Sequence, residues 1–162
     1  MEYAKLGKSG IEVSRLCVGC MSFGRPSEDF HEWTLNPNAT EEIVKKALDL
    51  GINFFDTANT YSHGTSEEYL GRALKKNIAR NQVVIGTKVY FNEGHLSKEA
   101  VRREIDGSLK RLGTAYVDLY IIHRFDYTTP IEDTMEALNG LVNAGKVRAL
   151  GASAMSGYPF LT

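Results

Sequence analysis

The chain has 162 residues, a length typical of one domain and sufficient for a sizeable hydrophobic core. Its 43% hydrophobic and 24% charged residues fit a soluble globular protein and not a disordered one. The formal net charge of -1, from 19 basic and 20 acidic residues, excludes wholesale attraction to nucleic acid or to an anionic membrane.

The N-terminal residues 1–14 are predicted to form a β-hairpin. A turn at Lys8-Ser9-Gly10 separates the strand candidates Tyr3–Leu6 and Ile11–Val13. The segment Met1–Lys5 lacks the apolar core of a signal peptide, and the apolar runs of the chain are only strand-sized. We therefore expect no transmembrane helix and a cytoplasmic location.

A first buried strand is predicted at Arg15–Gly19, followed by a long polar and aromatic loop at 20–39. A loop of this length inside a compact domain is usually functional. Cys17 and Cys20 form a lone Cys-x-x-Cys, which is either a redox or metal pair or simple packing at a strand end. Packing is favoured, because the sequence offers no second Cys pair or nearby His to complete a metal site.

Four helices are predicted to alternate with the strands that follow. The first covers roughly 40–50, with Glu41 and Glu42 in the first turn, where the helix dipole favours acidic residues. The second is predicted to open with a capping box, in which Thr65 is the N-cap and Glu68 its partner.

The third helix is predicted to start near Ser97 and to stop at Gly113. The fourth is predicted to open with a second capping box, Thr129–Glu132, with proline at the first helical position, and to end at Gly145. The apolar face predicted for it consists of Ile131, Met135, Leu138 and Val142.

Alternating strands and helices predict a parallel sheet with right-handed crossovers in a single domain, 1–162. The alternation covers 15–152, and 153–162 form a tail. The strands after the first are predicted at Ile52–Phe55, Val83–Lys88, Val117–His123 and Val147–Ala152. Five such strands form either a doubly wound sheet, whose usual Gly-x-Gly-x-x-Gly is missing, or part of a (β/α)8 barrel with the hairpin as its plug.

Four chemically capable side chains lie at or just after three successive strand ends. Asp56 and Tyr61 follow one strand, and Lys88 and His123 end the next two. Because the carboxyl ends of parallel strands share one rim, we expect these side chains to converge. Each has a simpler structural explanation on its own, but independent structural choices need not place all four at one rim.

The predicted group suits carbonyl reduction. A phenol releases its proton more easily beside a cation, which Lys88 can supply while Asp56 keeps the lysine charged and oriented. Tyr61 is then the proton donor, and His123 can donate a hydrogen bond to a carbonyl oxygen. None of the four side chains can supply a hydride, so a nicotinamide cofactor is required.

Two stretches resemble signatures of the aldo-keto reductases. Gly51–Ala58 followed by Tyr61 is similar to the first signature of that family, and Met135–Ser153 is similar to a second. The resemblance implies a (β/α)8 barrel, NADPH bound in extended form without a Rossmann domain, and a catalytic tetrad of Asp56, Tyr61, Lys88 and His123.

The resemblance also implies contacts with the cofactor and the substrate. The backbone around Cys20 and Met21 is expected at the nicotinamide end, beside Asp56, and Ser153 at its carboxamide. The loop that contains Trp33 is similar to that of members acting on sugar-like or aromatic carbonyls. Ala154 stands where many members of the family have Asn.

The family pattern continues for about as long again after the tail, so the sequence predicts a barrel truncated to about five strands and four helices. Its NADP(H) binding is expected to be weak or absent and its activity impaired. One alternative is a non-catalytic fragment or binding module of the same fold. Another is a metal-dependent hydrolase using Asp56, His63 and His123, which is disfavoured because Lys88 suits a dication poorly.

The predicted first and fifth strands lack their barrel neighbours, which leaves two sheet edges open. We therefore expect a homodimer that covers the open side of the half barrel. The alternative is that Tyr158, Phe160 and Leu161 of the tail cap one edge.

Overall fold

A computed structural model describes residues 1–27 and 30–157 of the chain. Within these residues, two short strands precede five strands that alternate with four α-helices. The strands are β1 (Tyr3–Lys5), β2 (Glu12–Ser14), β3 (Cys17–Gly19), β4 (Phe54–Asp56), β5 (Val84–Val89), β6 (Val117–Ile122) and β7 (Val147–Ala152). The helices are α1 (Pro37–Asp49), α2 (Thr65–Asn77), α3 (Lys98–Leu112) and α4 (Ile131–Asn143). The predicted α/β alternation is confirmed.

Strands β3 to β7 form one parallel sheet whose spatial order follows the chain. Val18 lies opposite Phe55, and Phe55 lies opposite Ile85, so each strand pairs with its successor. A doubly wound sheet reverses its strand order part way, whereas successive neighbours make the wall of a barrel. The sheet therefore has the winding of a (β/α)8 barrel, and the carboxyl ends of its five strands share one rim.

The β1–β2 hairpin lies towards the opposite, amino-terminal end of the sheet. Its Ile11 and Val13 are buried in an apolar cluster that also contains Leu6, Phe54, Val84 and Ala149. Asn53 fastens the hairpin to β4, because its Oδ1 accepts a hydrogen bond from the Ser14 amide at 2.7 Å. The hairpin thus covers this end of the sheet, the place expected of a plug.

Asp118 on β6 joins three strands near the same end. The side chain is fully buried, and its Oδ2 accepts hydrogen bonds from the Arg80 guanidinium at 2.6 Å and from the Ile85 amide at 3.0 Å. Arg148 of β7 binds the other carboxylate oxygen. One carboxylate therefore links β6 to both of its neighbours.

Helix α1 begins at Pro37 and not near residue 40. Asn36 is the N-cap, and its side chain accepts hydrogen bonds from the amides two and three residues later at 3.1 and 3.0 Å. Proline suits the first helical position because its missing N–H is not needed there. Glu41 and Glu42 consequently lie beyond the first turn.

The predicted start and end of α3 are confirmed, with Ser97 as N-cap and Gly113 at a φ of 66° after the last residue. Both predicted capping boxes are wrong. The Thr65 hydroxyl donates to the Ser62 carbonyl at 2.7 Å, and the Thr129 hydroxyl donates to Asp126 at 2.7 Å. Both threonine hydroxyls therefore donate to acceptors in the preceding loops and do not cap the helices in the way that the pattern had predicted.

The predicted apolar face of α4 is only partly correct. Leu138 is buried, but Ile131 and Met135 are 41% and 46% exposed. The buried residues of the helix are Thr134, Ala137, Leu138 and Leu141. Ile131 and Met135 instead line a cavity of about 450 Å³ between α4 and β7.

Residues 158–162 lie outside the described residues, and with them the expected cap of Tyr158, Phe160 and Leu161. In the part of the chain that the structure describes, no helix is both long and apolar enough to span a membrane.

Candidate active site

Lys88 on β5 is the centre of the candidate site. Its side chain is 7% exposed, and its Nζ donates to Asp56 Oδ2 at 2.7 Å, to the Thr57 carbonyl at 2.7 Å and to the Tyr61 hydroxyl at 3.3 Å. An ammonium has three N–H groups, so each has an acceptor. The cation is therefore held in one place with the phenol oxygen beside it.

Strand pairing brings these groups together. Asp56 lies opposite Gly86, and beyond β4 the Thr57 amide donates to the Gly86 carbonyl at 2.9 Å. The Asn59 amide continues the ladder to the Lys88 carbonyl at 3.3 Å. The chain after β4 thus runs along β5 as far as Lys88 before it turns towards Tyr61.

Tyr61 opens a tight turn with an unusual backbone. Ser62 and His63 have φ values of 46° and 54°, in the left-handed region that disfavours residues with a Cβ. A Cβ on Gly24 would lie 2.3 Å from Ser62 Cβ, so only glycine fits against this turn. The Ser62 hydroxyl also donates to the Phe23 carbonyl at 3.3 Å. These contacts fix the turn in which Tyr61 lies.

His123 directly follows β6. Its ring meets the Tyr61 ring edge-on, with centroids 5.9 Å apart, and the Phe91 ring edge-on at 4.9 Å. Burial, followed by the charges of Lys88 and Arg124, lowers the pKa of His123 from 6.5 to about 4. The imidazole is therefore neutral at pH 7 and carries one proton that it can donate.

The structure thus brings together Asp56, Tyr61, Lys88 and His123, the four side chains that the sequence predicted at one rim. Of the predicted cofactor residues, Asp56 belongs to this group, and the other three follow the ends of β3 and β7. Cys20 follows β3, and its carbonyl accepts a hydrogen bond from the Ser66 hydroxyl at 2.6 Å. Met21 is 40% exposed. Ser153 follows β7, and its amide donates to the Ile122 carbonyl at 2.9 Å.

Trp33 lies in an aromatic row next to the turn of Tyr61. The residue is 56% exposed, and its ring stacks on His31 at 4.4 Å with an interplanar angle of 21°. Phe30 continues the row, with its ring 4.3 Å from His31 and 6.0 Å from His63. The predicted substrate loop therefore borders the candidate site.

The two cysteines differ in environment. Cys20 is fully buried in the main core, as predicted for packing, whereas Cys17 is exposed, so the packing prediction is wrong for Cys17. Although Cys17 is exposed as a residue, its thiol is partly covered, and this partial burial together with the Asp56 charge raises the pKa of the thiol to about 11. Full burial, followed by the same charge, raises the pKa of Cys20 well above its ordinary value. Among residues 1–27 and 30–157, no three His, Cys, Asp or Glu side chains are placed to hold a metal ion.

Sequence reasoning missed several residues that shape the site, among them Thr57, Phe91 and Glu104. Thr57 contributes only its backbone carbonyl, and since every residue has one, the residue type gives no signal. Glu104 did leave a signal, because it is a charged residue within the apolar stripe of α3. The buried residues of α3 are Ala100, Val101, Glu104, Ile105, Ser108 and Leu112.

Comparisons with known proteins agree on a single family. The model of the Aldo/keto reductase family matches residues 15–157. A versiconal hemiacetal acetate reductase of Aspergillus parasiticus is 43% identical, with 100% of this chain and 53% of the relative covered. An aldo-keto reductase of Bacillus subtilis is 38% identical, with 96% and 48% covered.

Solved structures give the same result. A thermostable aldo-keto reductase in complex with the inhibitor epalrestat superimposes with a TM-score of 0.85 at 32% identity, covering 98% of this chain and 56% of that one. The holo form of an aldo-keto reductase from Bacillus halodurans superimposes with a TM-score of 0.81 at 34% identity, covering 94% and 50%. The chain spans about half the length of the curated relatives that it matches.

Proposed function

The chain belongs to the aldo-keto reductase family, and on that premise we propose that the protein reduces aldehydes or ketones to alcohols with NADPH. The observation that carries the proposal is the buried Lys88 ammonium, which holds the Tyr61 hydroxyl at 3.3 Å and Asp56 at 2.7 Å.

The donor set of the rim fits a hydride-transfer cofactor. The four side chains offer a proton donor, a cation, a carboxylate and a neutral imidazole, and none of these transfers a hydride. A bound nicotinamide supplies a hydride to the carbonyl carbon. The residues proposed to hold it are Cys20, Met21, Asp56 and Ser153, which lie at or just after ends of β3, β4 and β7.

Tyr61 is proposed to give its proton to the carbonyl oxygen. The phenol oxygen accepts a hydrogen bond from Lys88, so the hydroxyl proton remains available for the substrate. The positive charge beside the oxygen stabilises the phenolate that is left after transfer. Asp56 compensates the buried ammonium and fixes its position.

His123 is proposed to orient the carbonyl. Its imidazole is neutral at pH 7, because burial and two nearby cations lower its pKa to about 4. A neutral ring donates one hydrogen bond without competing with Tyr61 as an acid. Together the two side chains would hold one carbonyl oxygen from two sides.

The test is turnover of an aromatic aldehyde, followed as loss of NADPH absorbance, with NADH in parallel. General acid catalysis contributes about a hundredfold or more, so we expect Tyr61→Phe to lose at least that factor in kcat. Tyr69→Phe is the matched control, since Tyr69 is also half-buried but lies on α2 beside Arg72. Full activity of Tyr61→Phe would contradict the proposal. Because weak NADPH binding is expected, the cofactor is supplied in large excess, and absence of both turnover and NADPH binding under that condition would favour a binding module.

A further inference from the structure

We propose that Glu104 of α3 is a positioning residue that ties together the two loops on which the geometry of the rim depends. One loop carries Tyr61, and the other carries Phe91, whose ring packs against His123. The inference rests on the proposed function, because it assigns Glu104 a part in that same reaction.

A single oxygen of Glu104 joins the two loops. Glu104 is 7% exposed, and its Oε2 accepts a hydrogen bond from Asn59 Nδ2 at 2.8 Å and another from Asn92 Nδ2 at 2.7 Å. Asn59 belongs to the loop after β4, and Asn92 to the loop after β5. Without this carboxylate, neither amide has an acceptor in the contacts that the structure describes.

Each asparagine lies next to a residue of the site. Asn59 is two positions before Tyr61 and is only 3% exposed. Its backbone N–H donates to the Lys88 carbonyl. Asn92 directly follows Phe91, whose ring centroid is 4.9 Å from that of His123. Movement of Asn59 would therefore displace the Tyr61 ring, and movement of Asn92 would displace the Phe91 ring that packs against His123.

The charge of Glu104 is compensated where it lies. Arg103 donates to Oε1 from Nε at 3.3 Å and from Nη2 at 3.2 Å. A buried carboxylate is costly unless it is paired and fully hydrogen-bonded, and an apolar residue would satisfy the stripe of α3 equally well. Packing alone does not explain a carboxylate here, whereas the link between the two loops does.

The first experiment separates positioning from stability. Loss of the link in Glu104→Ala is expected to lower kcat at least tenfold, because misplacement of reacting groups by about 1 Å costs as much as a hundredfold in rate. Glu104→Gln keeps an acceptor oxygen and should restore most of kcat. Asp118→Asn is the matched control: it alters another buried carboxylate, at the amino-terminal end of the sheet, and should reduce stability without reducing kcat.

The second experiment does not need turnover. The pKa of His123, about 4 in the wild type, can be followed by NMR titration of the imidazole. If Glu104→Ala loosens the Phe91 loop, water reaches the ring and the pKa moves towards 6.5. The pKa should stay near 4 in Glu104→Gln and in Asp118→Asn.

The outcomes keep the two proposals apart. A wild type that turns over no carbonyl even with NADPH in large excess would refute the proposed function, and the His123 titration would still decide whether Glu104 positions the rim. An unchanged titration in Glu104→Ala, or a kcat within twofold of the wild type, would overturn the positioning role. An equal loss of kcat in Asp118→Asn would also overturn it, since the effect would then be general destabilisation.

Discussion

At the scale of single residues, burial and neighbouring charge decide the chemistry of the rim. His123 is partly removed from water and is close to the charges of Lys88 and Arg124, so its pKa is about 4 and its ring is neutral at pH 7. Lys88 is buried as well, but its three N–H groups all have acceptors on Asp56, Thr57 and Tyr61. The imidazole of His123 is therefore kept uncharged, and the ammonium of Lys88 is kept in a fixed position.

The low pKa of His123 predicts a pH dependence of folding. An unfolded chain protonates this imidazole near pH 6.5, whereas the folded protein does so near pH 4. Between these values the unfolded state binds more protons, so stability is lost as the pH falls from 6.5 to 4. The free energy of unfolding, measured with urea at several pH values in this window, should fall less steeply with falling pH for His123→Asn than for the wild type. The other histidines are present in both proteins, and identical slopes would contradict the prediction.

The sequence predicted the residues of the rim because strand ends can be located from residue patterns. It could not predict the role of Glu104, since its partners Asn59 and Asn92 are 45 and 12 positions away. The positive φ values of Ser62 and His63 were equally hidden, because neither residue type signals that conformation.

At the scale of elements, helix ends are set by local hydrogen bonds that compete with tertiary contacts. Asn36 caps α1, so the helix starts at Pro37. The acidic residues Glu41 and Glu42 had suggested a start near residue 40. Thr65 and Thr129 match a capping pattern, but loop acceptors take their hydroxyls. Element type was therefore predictable, and element boundaries were less so.

The cap of α1 can be tested with a matched pair of asparagines. Asn36→Ala removes the acceptor of two amides and is expected to cost about 1 kcal/mol in the free energy of unfolding. Asn38→Ala changes an exposed residue within the same helical turn and should have no such cost. Chemical denaturation measures both, and equal effects would show that the cap is not what stabilises this end.

At the scale of the whole molecule, the α/β alternation left two strand orders open, that of a doubly wound sheet and that of a barrel, and the resemblance to the aldo-keto reductases favoured the barrel order that the sheet has. The hairpin was also predictable as a unit, but its fastening by Asn53 was not, since that contact joins residues 39 positions apart. The expected homodimer and the expected weakness of NADP(H) binding stay predictions.

Covering of the sheet end by the hairpin has a measurable consequence. Ile11 is 4% exposed in the cluster with Val84, so Ile11→Ala is expected to cost about 2 to 5 kcal/mol. Ile43→Ala on α1, where the side chain is 41% exposed, should cost less than half as much. Thermal or urea unfolding compares the two, and similar losses would mean that the hairpin contributes little to stability.

The carboxylate of Asp118 also restricts the order in which the sheet can fold. Its partners come from residues 80, 85 and 148, which are spread over 69 positions of the chain. Removing this charge from water is unfavourable until those partners have arrived. An intermediate with β5 and β6 paired but β7 still free would leave Oδ1 of this buried carboxylate without its contact to Arg148, so we expect this part of the sheet to assemble in one cooperative step.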